Sequence, residues 1–387
     1  MKLNLFTNKH SEVNVNILIN YTGRIGAGPS YGYEMAKGFI DNGVNVYAII
    51  SANISNLDKW KALPIKKLLI LDTYTDKKEF FFATIKLFVK ERKNIESFFY
   101  DIQFDAIYVP MQTYWSYAIS KCFQGVPVYF TLHDPKAHSG ESLFNRMFYC
   151  VTKYEIRDAH RIILLSSKFI PYVQRHFHKQ EILVIPHGAF FNYKKSVVGK
   201  KIVEYSNDKI NFLFFGRIEE YKGLDILLSA YKCVEEKYPK EVSLVIAGRG
   251  DIDKYMYQMQ NIKNLTLLNF LIPDEHIRDL FSGNNVVTVL PYKDATQSGV
   301  IATAAMFDSL IVASDTGGLT EQLQDGRLGV LFACNSVEDL RIKMCDIVKN
   351  YPSYKKYITA SRKYINSLSW SNLSKIIIND IIGLNEK

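Results

Sequence analysis

Residues 285–314 read NVVTVLPYKDATQSGVIATAAMFDSLIVAS. An apolar run from Val286 to Leu290 stops at Pro291, a polar loop carrying Ser298 and Gly299 opens a small-residue helix, and a second apolar run, Leu310 to Ser314, follows. Runs that are apolar on both faces and joined through a helix mark parallel strands covered on both sides.

The same alternation extends in both directions from this unit. Towards the start lie NVNILIN (14–20), VNVYAII (44–50), LLIL (68–71), AIYV (106–109), VPVYFTL (126–132), RIILLS (161–166) and ILVIP (182–186), several separated by segments long enough for a crossover helix. The second half adds INFLFFG (210–216), VSLVIAG (242–248), LTLLNF (265–270) and LGVLF (328–332). The expected fold class is α/β, with two Rossmann-like doubly wound domains facing a cleft. Their expected bounds are 1–190 and 210–365, joined by the polar, Lys-rich linker 191–209 and followed by a helix within 366–387. Ligands of such folds bind outside the carboxyl ends of the strands, at the point where strand order reverses.

A length of 387 residues suits two domains, and 48% hydrophobic with 22% charged residues excludes a disordered chain. The net charge of +9 is uneven: residues 1–190 hold 23 Lys/Arg against 16 Asp/Glu, a surplus of 7. That surplus suits anionic lipid, phosphorylated ligands or nucleic acid, but no nucleic-acid module accompanies it. Five scattered cysteines without CxxC spacing argue for a reducing compartment and against a zinc site or disulfide framework. The opening MKLNLFTNKHSEVNVNILIN is a poor signal peptide, and no apolar stretch approaches the roughly 20 residues that span a bilayer. A cytoplasmic protein is the expectation.

FFGRIEEYKG (214–223) places Gly216, Arg217 and Lys222 at the end of a buried strand, before the amphipathic helix LDILLSAY. Two permanent cations there suit a diphosphate, gripped by a planar fork and a point charge. A surface pair balanced by Glu219 and Glu220 is the plainer alternative. If the helix after Thr296 and Gln297 begins near Ser298, the N–H groups of Ser298, Gly299 and Val300 face the cleft with the positive end of the helix dipole.

GRIEEYKG (216–223), LVIAGRGD (244–251), NFLIPDEHI (269–277), PYKDATQSGV (291–300) and ASDTGGLTE (313–321) together resemble the nucleotide-binding half of the retaining family 4 glycosyltransferases of GT-B architecture. The first half matches more loosely, through TGRIGAGPS (22–30), LHD (132–134), AHRIILLSS (159–167) and VIPHG (184–188). The helix beginning at SWSN (369–372) resembles the one that crosses back to the first domain in that architecture.

The resemblance implies that Arg217 and Lys222 hold the donor diphosphate and stabilise its growing charge, so that neither a metal ion nor a cofactor is needed. Asp251 and Asp253 read better as a helix cap than as a metal pair. His133 is implied beside the transferred sugar; a buried histidine satisfied by a backbone carbonyl is the other reading. Gly26 and Gly28 are implied in a loop approaching the donor. Leu271, Gly216, Thr296, Gln297, Ser298, Gly299, Val300 and Glu321 complete the implied donor site. The family's two glutamates fall here on Thr296 and Ala304, so the second carboxylate, which holds the ribose, is missing. The implied activity is transfer of a hexose from a nucleoside diphosphate sugar to a glycan or polyprenyl-linked acceptor with retention, in cell-surface polysaccharide synthesis. The alternatives are a nucleotide-sugar 2-epimerase and a catalytically silent sugar-nucleotide binder. Finally, KKEFFFATIKLFVKERKN (77–94) interleaves cations with Phe and Ile. It reads either as a core-facing helix with a solvated basic back or as an interfacial helix on the anionic inner face of a membrane.

Overall fold

The computed structural model describes residues 14–135, 152–190 and 201–385. The opening segment through residue 13, Cys150 and residues 191–200 of the expected linker lie outside the described residues. The first seven-stranded sheet contains β1 (Asn16–Tyr21), β2 (Asn45–Ser51), β3 (Lys67–Leu71), β4 (Ala106–Val109), β5 (Val128–Leu132), β6 (Arg161–Leu164) and β7 (Glu181–Val184), in the order β3-β2-β1-β4-β5-β6-β7. The second, six-stranded sheet contains β8 (Ile210–Phe215), β9 (Val242–Ala247), β10 (Leu265–Leu268), β11 (Val286–Leu290), β12 (Leu310–Ser314) and β13 (Val330–Phe332), in the order β10-β9-β8-β11-β12-β13. Every strand pairing in both sheets is parallel.

Side-chain alternation explains why these strands must be apolar throughout. In β1, Ile17 and Ile19 enter one core with Val46, Ile50 and Phe39, while Leu18 enters the opposite one with Ile49, Ile107 and Phe130. Strand order reverses between β1 and β4 in the first sheet and between β8 and β11 in the second. The loops after β8 and β11, which carry GRIEEYKG and PYKDATQSGV, therefore flank the second switch point.

The helices used below are α1 (Gly28–Asp41), α2 (Leu57–Lys61), α3 (Lys77–Lys86), α4 (Arg92–Phe98), α5 (Ile170–His176), α6 (Leu224–Lys237), α7 (Gly299–Met306), α8 (Leu319–Gln322), α9 (Val337–Ser367) and α10 (Trp370–Asn385). The long α9 kinks at Asn350, two residues before Pro352, where the proline ring and its missing N–H interrupt regular helix.

Helix α10 returns to the first domain, with Trp370, Leu373 and Ile377 packed among first-domain residues. Gly38 makes this possible: a Cβ there would lie 2.5 Å from the Trp370 carbonyl oxygen. Asn42 donates to the Ser371 carbonyl at 2.8 Å and to the Ser374 hydroxyl at 3.0 Å. Further along, Asp380 accepts from Tyr129 at 2.6 Å and from Arg161 at 2.9 Å.

The 77–94 stretch meets the core along one face only. It runs through α3, a π-helical turn at Leu87–Glu91 and α4. Leu87 is buried and Phe80 packs against the core, whereas Phe81, Phe82, Ile85, Phe88 and Val89 are exposed. No helix among the described residues is long and apolar enough to cross a membrane.

Candidate functional site

The second domain builds its half of the site by bringing two loops into backbone contact. Gly216, after β8, has φ +125, and Gly248, after β9, has φ +146. A Cβ on Gly248 would lie 1.9 Å from the Gly216 carbonyl oxygen. The chain then makes a short 3-10 turn, Glu220–Lys222, and enters α6 through Gly223 at φ +67. A Cβ on Gly223 would lie 1.9 Å from the Pro291 carbonyl oxygen, so only glycine lets this loop pack onto the one after β11.

That packing carries Lys222 to the tip of α7. Its Nζ donates to the Tyr292 hydroxyl at 3.0 Å and lies 4.4 Å from the centroid of that ring. The Tyr292 hydroxyl is 3.4 Å from Ser298 Oγ, and Ser298 Oγ accepts the Val300 N–H at 3.3 Å as the helix N-cap. Among the described residues, no carboxylate forms a salt bridge with Lys222. Arg217 is largely exposed and pairs with Glu219 at 2.9 Å.

The helix tip offers fewer free donors than the sequence suggests. Ser298 donates its N–H to Gln322 Oε1 at 2.8 Å, and Gln322 Nε2 returns a bond to the Ser298 carbonyl at 3.1 Å. The Val300 N–H is taken by the Ser298 hydroxyl. Of the three N–H groups expected to face the cleft, Gly299 alone has no hydrogen bond among the described residues. The opposite wall is close by: a Cβ on Gly299 would lie 3.4 Å from the His187 ring, in ordinary van der Waals contact.

His187 and His133 come from the first domain. The Nε2 of His133 lies 2.9 Å from the Pro110 carbonyl, so in the neutral ring this nitrogen carries the proton and Nδ1 remains the acceptor. Burial lowers the His133 pKa, although the Pro110 carbonyl and Asp134 act in the opposite direction. The backbone-satisfied geometry is present, and the ring nevertheless belongs to the aromatic cluster at the cleft. His187 Nδ1 lies 2.6 Å from the Gly188 carbonyl. Burial, reinforced by His133 nearby, pushes its pKa down to about 4. Tyr31 joins the two histidines, with centroid distances of 4.8 Å to His133 and 5.5 Å to His187, and Trp370 of the returning helix lies 5.1 Å from Tyr31. His187 was not singled out from sequence, although it follows β7 just as His133 follows β5.

Other expected site residues are placed as follows. Gly26 is exposed in the β1–α1 loop at φ +87, with open space around it. Gly28 is buried, and a Cβ there would lie 2.0 Å from the Tyr21 hydroxyl, so its missing side chain makes room for Tyr21. Leu271 is exposed beyond β10. Thr296 is buried, and its carbonyl oxygen would lie 2.0 Å from a Cβ on Gly318. Gln297 holds its side-chain oxygen buried without a hydrogen-bond partner among the described residues. Ala304 is fully buried in the second-domain core.

Glu321, expected in the donor site, reaches the other domain. Its carboxylate crosses to the first domain, where Oε2 accepts from the Ser166 hydroxyl and the Lys168 N–H, the latter at 3.3 Å, and Oε1 accepts from the Ser167 N–H at 3.0 Å. Both oxygens are thus engaged away from the donor loops. Asp251 accepts the Asp253 N–H at 3.1 Å in an Asx turn that leads into the 3-10 turn Asp253–Tyr255, whose N-cap position is Ile252 rather than either aspartate. Among the described residues, no group of three His, Cys, Asp or Glu could hold a metal ion.

Residues 209–350 match the sequence profile of the family described as glycosyl transferases group 1. The second domain thus carries that family's sequence pattern. An uncharacterized glycosyltransferase of Methanocaldococcus jannaschii is 22% identical over 58% of this chain and 59% of its own length, so the chain spans about three fifths of that relative. Among solved structures, sucrose-phosphate synthase of Thermosynechococcus elongatus aligns with a TM-score of 0.74 over 96% of this chain and 100% of that one, at 16% identity. Anabaena HepE in complex with UDP and glucose aligns with a TM-score of 0.68 over 96% of this chain and 99% of that one, also at 16% identity. The architecture is that of the GT-B glycosyltransferases, two parallel α/β domains with a helix returning to the first.

Proposed function

We propose that this protein is a retaining glycosyltransferase that moves a hexose from a nucleoside diphosphate sugar to a glycan or lipid-linked acceptor hydroxyl. The observation that carries the proposal is the chain from Lys222 Nζ through the Tyr292 hydroxyl to Ser298 and the uncommitted Gly299 N–H, set at a switch point where two strands end. Among the described residues no carboxylate forms a salt bridge with this cation, and a cation so placed beside a helix N-terminus suits a diphosphate. Arg217, once released from Glu219, adds a second cation. HepE, bound to UDP and glucose, supports a donor of this chemical class for the same fold.

In the proposed reaction, the bond between the sugar's anomeric carbon and the diphosphate breaks while the acceptor oxygen attacks from the same face. The acceptor's proton passes to the departing phosphate oxygen. The protein then needs no carboxylate base, in keeping with Thr296 and Ala304 where the family carries glutamates. Lys222, Arg217 and the α7 tip stabilise the charge gathering on the leaving diphosphate.

The test is a thermal-shift screen with UDP, GDP, ADP, CMP and their sugars, followed by nucleotide-release assays with lipid-linked and oligosaccharide acceptors. A nucleoside diphosphate that raises the melting temperature, and acceptor-dependent release with a retained anomer, support the proposal. Epimer formed without acceptor, or tight binding without release across the acceptor panel, overturns transfer.

Exposed Phe81, Phe82, Ile85, Phe88 and Val89, interleaved with exposed Lys78, Lys90 and Lys93, favour peripheral contact with an anionic membrane presenting a lipid-linked acceptor. Co-sedimentation with phosphatidylglycerol vesicles but not with neutral ones, reduced by Phe81→Ser with Phe88→Ser, is the expected result. Equal recovery with both vesicle types rejects it.

A further inference from the structure

We infer that Glu321 is a positioning residue that clasps the two domains together and, through its neighbour Gln322, couples that closure to the geometry of the α7 tip. The clasp joins one carboxylate to three donors at the start of α5's leading turn: the Ser166 hydroxyl and the Ser167 and Lys168 N–H groups. The contact is close: a Cβ on Gly318 would lie 3.2 Å from the Ser166 Cβ. Burial favours protonation of Glu321, but the bonds from Ser166, Ser167 and Lys168 outweigh it and hold the pKa below the ordinary carboxylate value. The group is therefore ionised at neutral pH, where its hydrogen bonds are charge-assisted.

The coupling lies in the next residue. Gln322, on the same short helix, accepts from the Ser298 N–H and donates to the Ser298 carbonyl, fixing the peptide that precedes Gly299. Gly318, at the head of that helix, leaves room for the Thr296 carbonyl on one side and Ser166 on the other. A movement of α8 away from the first domain would therefore disturb the hydrogen bonds that orient the Gly299 N–H.

The clasp also has a partner at the opposite end of the cleft. Ser166 follows β6 and Lys59 follows β2, near opposite edges of the first sheet. Lys59 pairs with Asp274 of the second domain at 3.6 Å, with both side chains about half exposed. Such an exposed pair contributes little to closure, whereas the half-buried, three-donor Glu321 contact carries most of it.

The test compares Glu321→Gln, Ser166→Ala and Lys59→Ser with the wild type by amide hydrogen exchange, small-angle X-ray scattering and UDP calorimetry. In Glu321→Gln one carboxylate oxygen becomes an N–H donor facing donors. Exchange at Ser167 and Lys168 should accelerate at least tenfold, the radius of gyration should rise, and UDP affinity should fall about tenfold. Ser166→Ala should move the same readouts in the same direction, acting from the other domain, and Lys59→Ser should leave them within twofold. A purely local role would lower the melting temperature without changing the radius of gyration, and that result overturns the inference. So does unchanged exchange at 167–168 in both variants. The UDP arm rests on the proposed donor site; if UDP fails to bind the wild type it is replaced by the nucleoside diphosphate that stabilises the protein most, and if none binds, that reading falls and the clasp is judged by exchange and scattering alone.

Discussion

Replacing Lys222 with methionine separates electrostatics from packing at the proposed diphosphate site. The aliphatic stem can still lie over the Tyr292 ring, but the ammonium, 3.0 Å from the Tyr292 hydroxyl and 4.4 Å from the ring centroid, is lost. Folding should lose about 1 kcal/mol for the hydrogen bond and about 0.5–1 kcal/mol for the cation–π contact. No buried carboxylate is orphaned, because none forms a salt bridge with Lys222 among the described residues. The effect on turnover should be larger. Two unit charges 4 Å apart attract by about 4 kcal/mol at an effective dielectric constant of 20, and the share that grows with bond breaking corresponds to about 2–4 kcal/mol of barrier. Release of nucleotide from the preferred donor, followed with saturating acceptor, should therefore slow by about 10²- to 10³-fold. Urea unfolding should show a loss of no more than about 2 kcal/mol in the same preparation. A folded Lys222→Met variant that turns over within about threefold of wild type would refute the electrostatic role.

Gly223→Ala should cost about 2–4 kcal/mol in urea unfolding, because it combines φ +67 with a Cβ placed 1.9 Å from the Pro291 carbonyl oxygen. An effect below about 0.5 kcal/mol would show that the two loops do not meet this closely. The folded-state pKa of His187, about 4, lies below the unfolded value near 6.5, so acid protonates the unfolded chain first. Its contribution should be present above pH 6.5 and decline by up to about 3 kcal/mol as pH falls towards 4, a slope that His187→Asn should reduce. Glu155 behaves with the opposite sign: burial raises its pKa to about 8, so the folded state holds a proton that the unfolded state loses near 4.5. Stability should fall as pH rises from 4.5 through 8, and Glu155→Gln, beside the Ser116 hydroxyl at 3.0 Å, should flatten that decline.

The strands were legible because each must be apolar on both faces to lie in a covered parallel sheet, and helix-length spacers supplied the crossovers. The run LTLLNF illustrates the limit: its strand ends at Leu268, since Asn269 turns its side-chain oxygen to the Gly250 N–H. Gly216, Lys222 and Ser298 were legible as neighbours because they are local to the strand ends at the switch point. The contacts of Glu321 and Gln322 were not, because they are set by how two domains and two loops meet: Ser166 is 155 residues away and Ser298 is 24. His187 could have been found in VIPHG (184–188), which follows β7 as LHD (132–134) closes β5 and carries His133. The 77–94 stretch kept its two readings open because its apolar residues recur at nearly every helical angle; the π-helical turn and the exposed phenylalanines became visible only in three dimensions.

The most direct test of the diphosphate site is a crystal structure of the wild type with the nucleoside diphosphate that stabilises it most. Its phosphate oxygens should lie about 3 Å from Lys222 Nζ and from the Gly299 N–H nitrogen, with the Arg217 guanidinium turned from Glu219 onto the ligand. An ordered nucleotide whose phosphates lie elsewhere, with Lys222 still on Tyr292 and Arg217 still on Glu219, would contradict it.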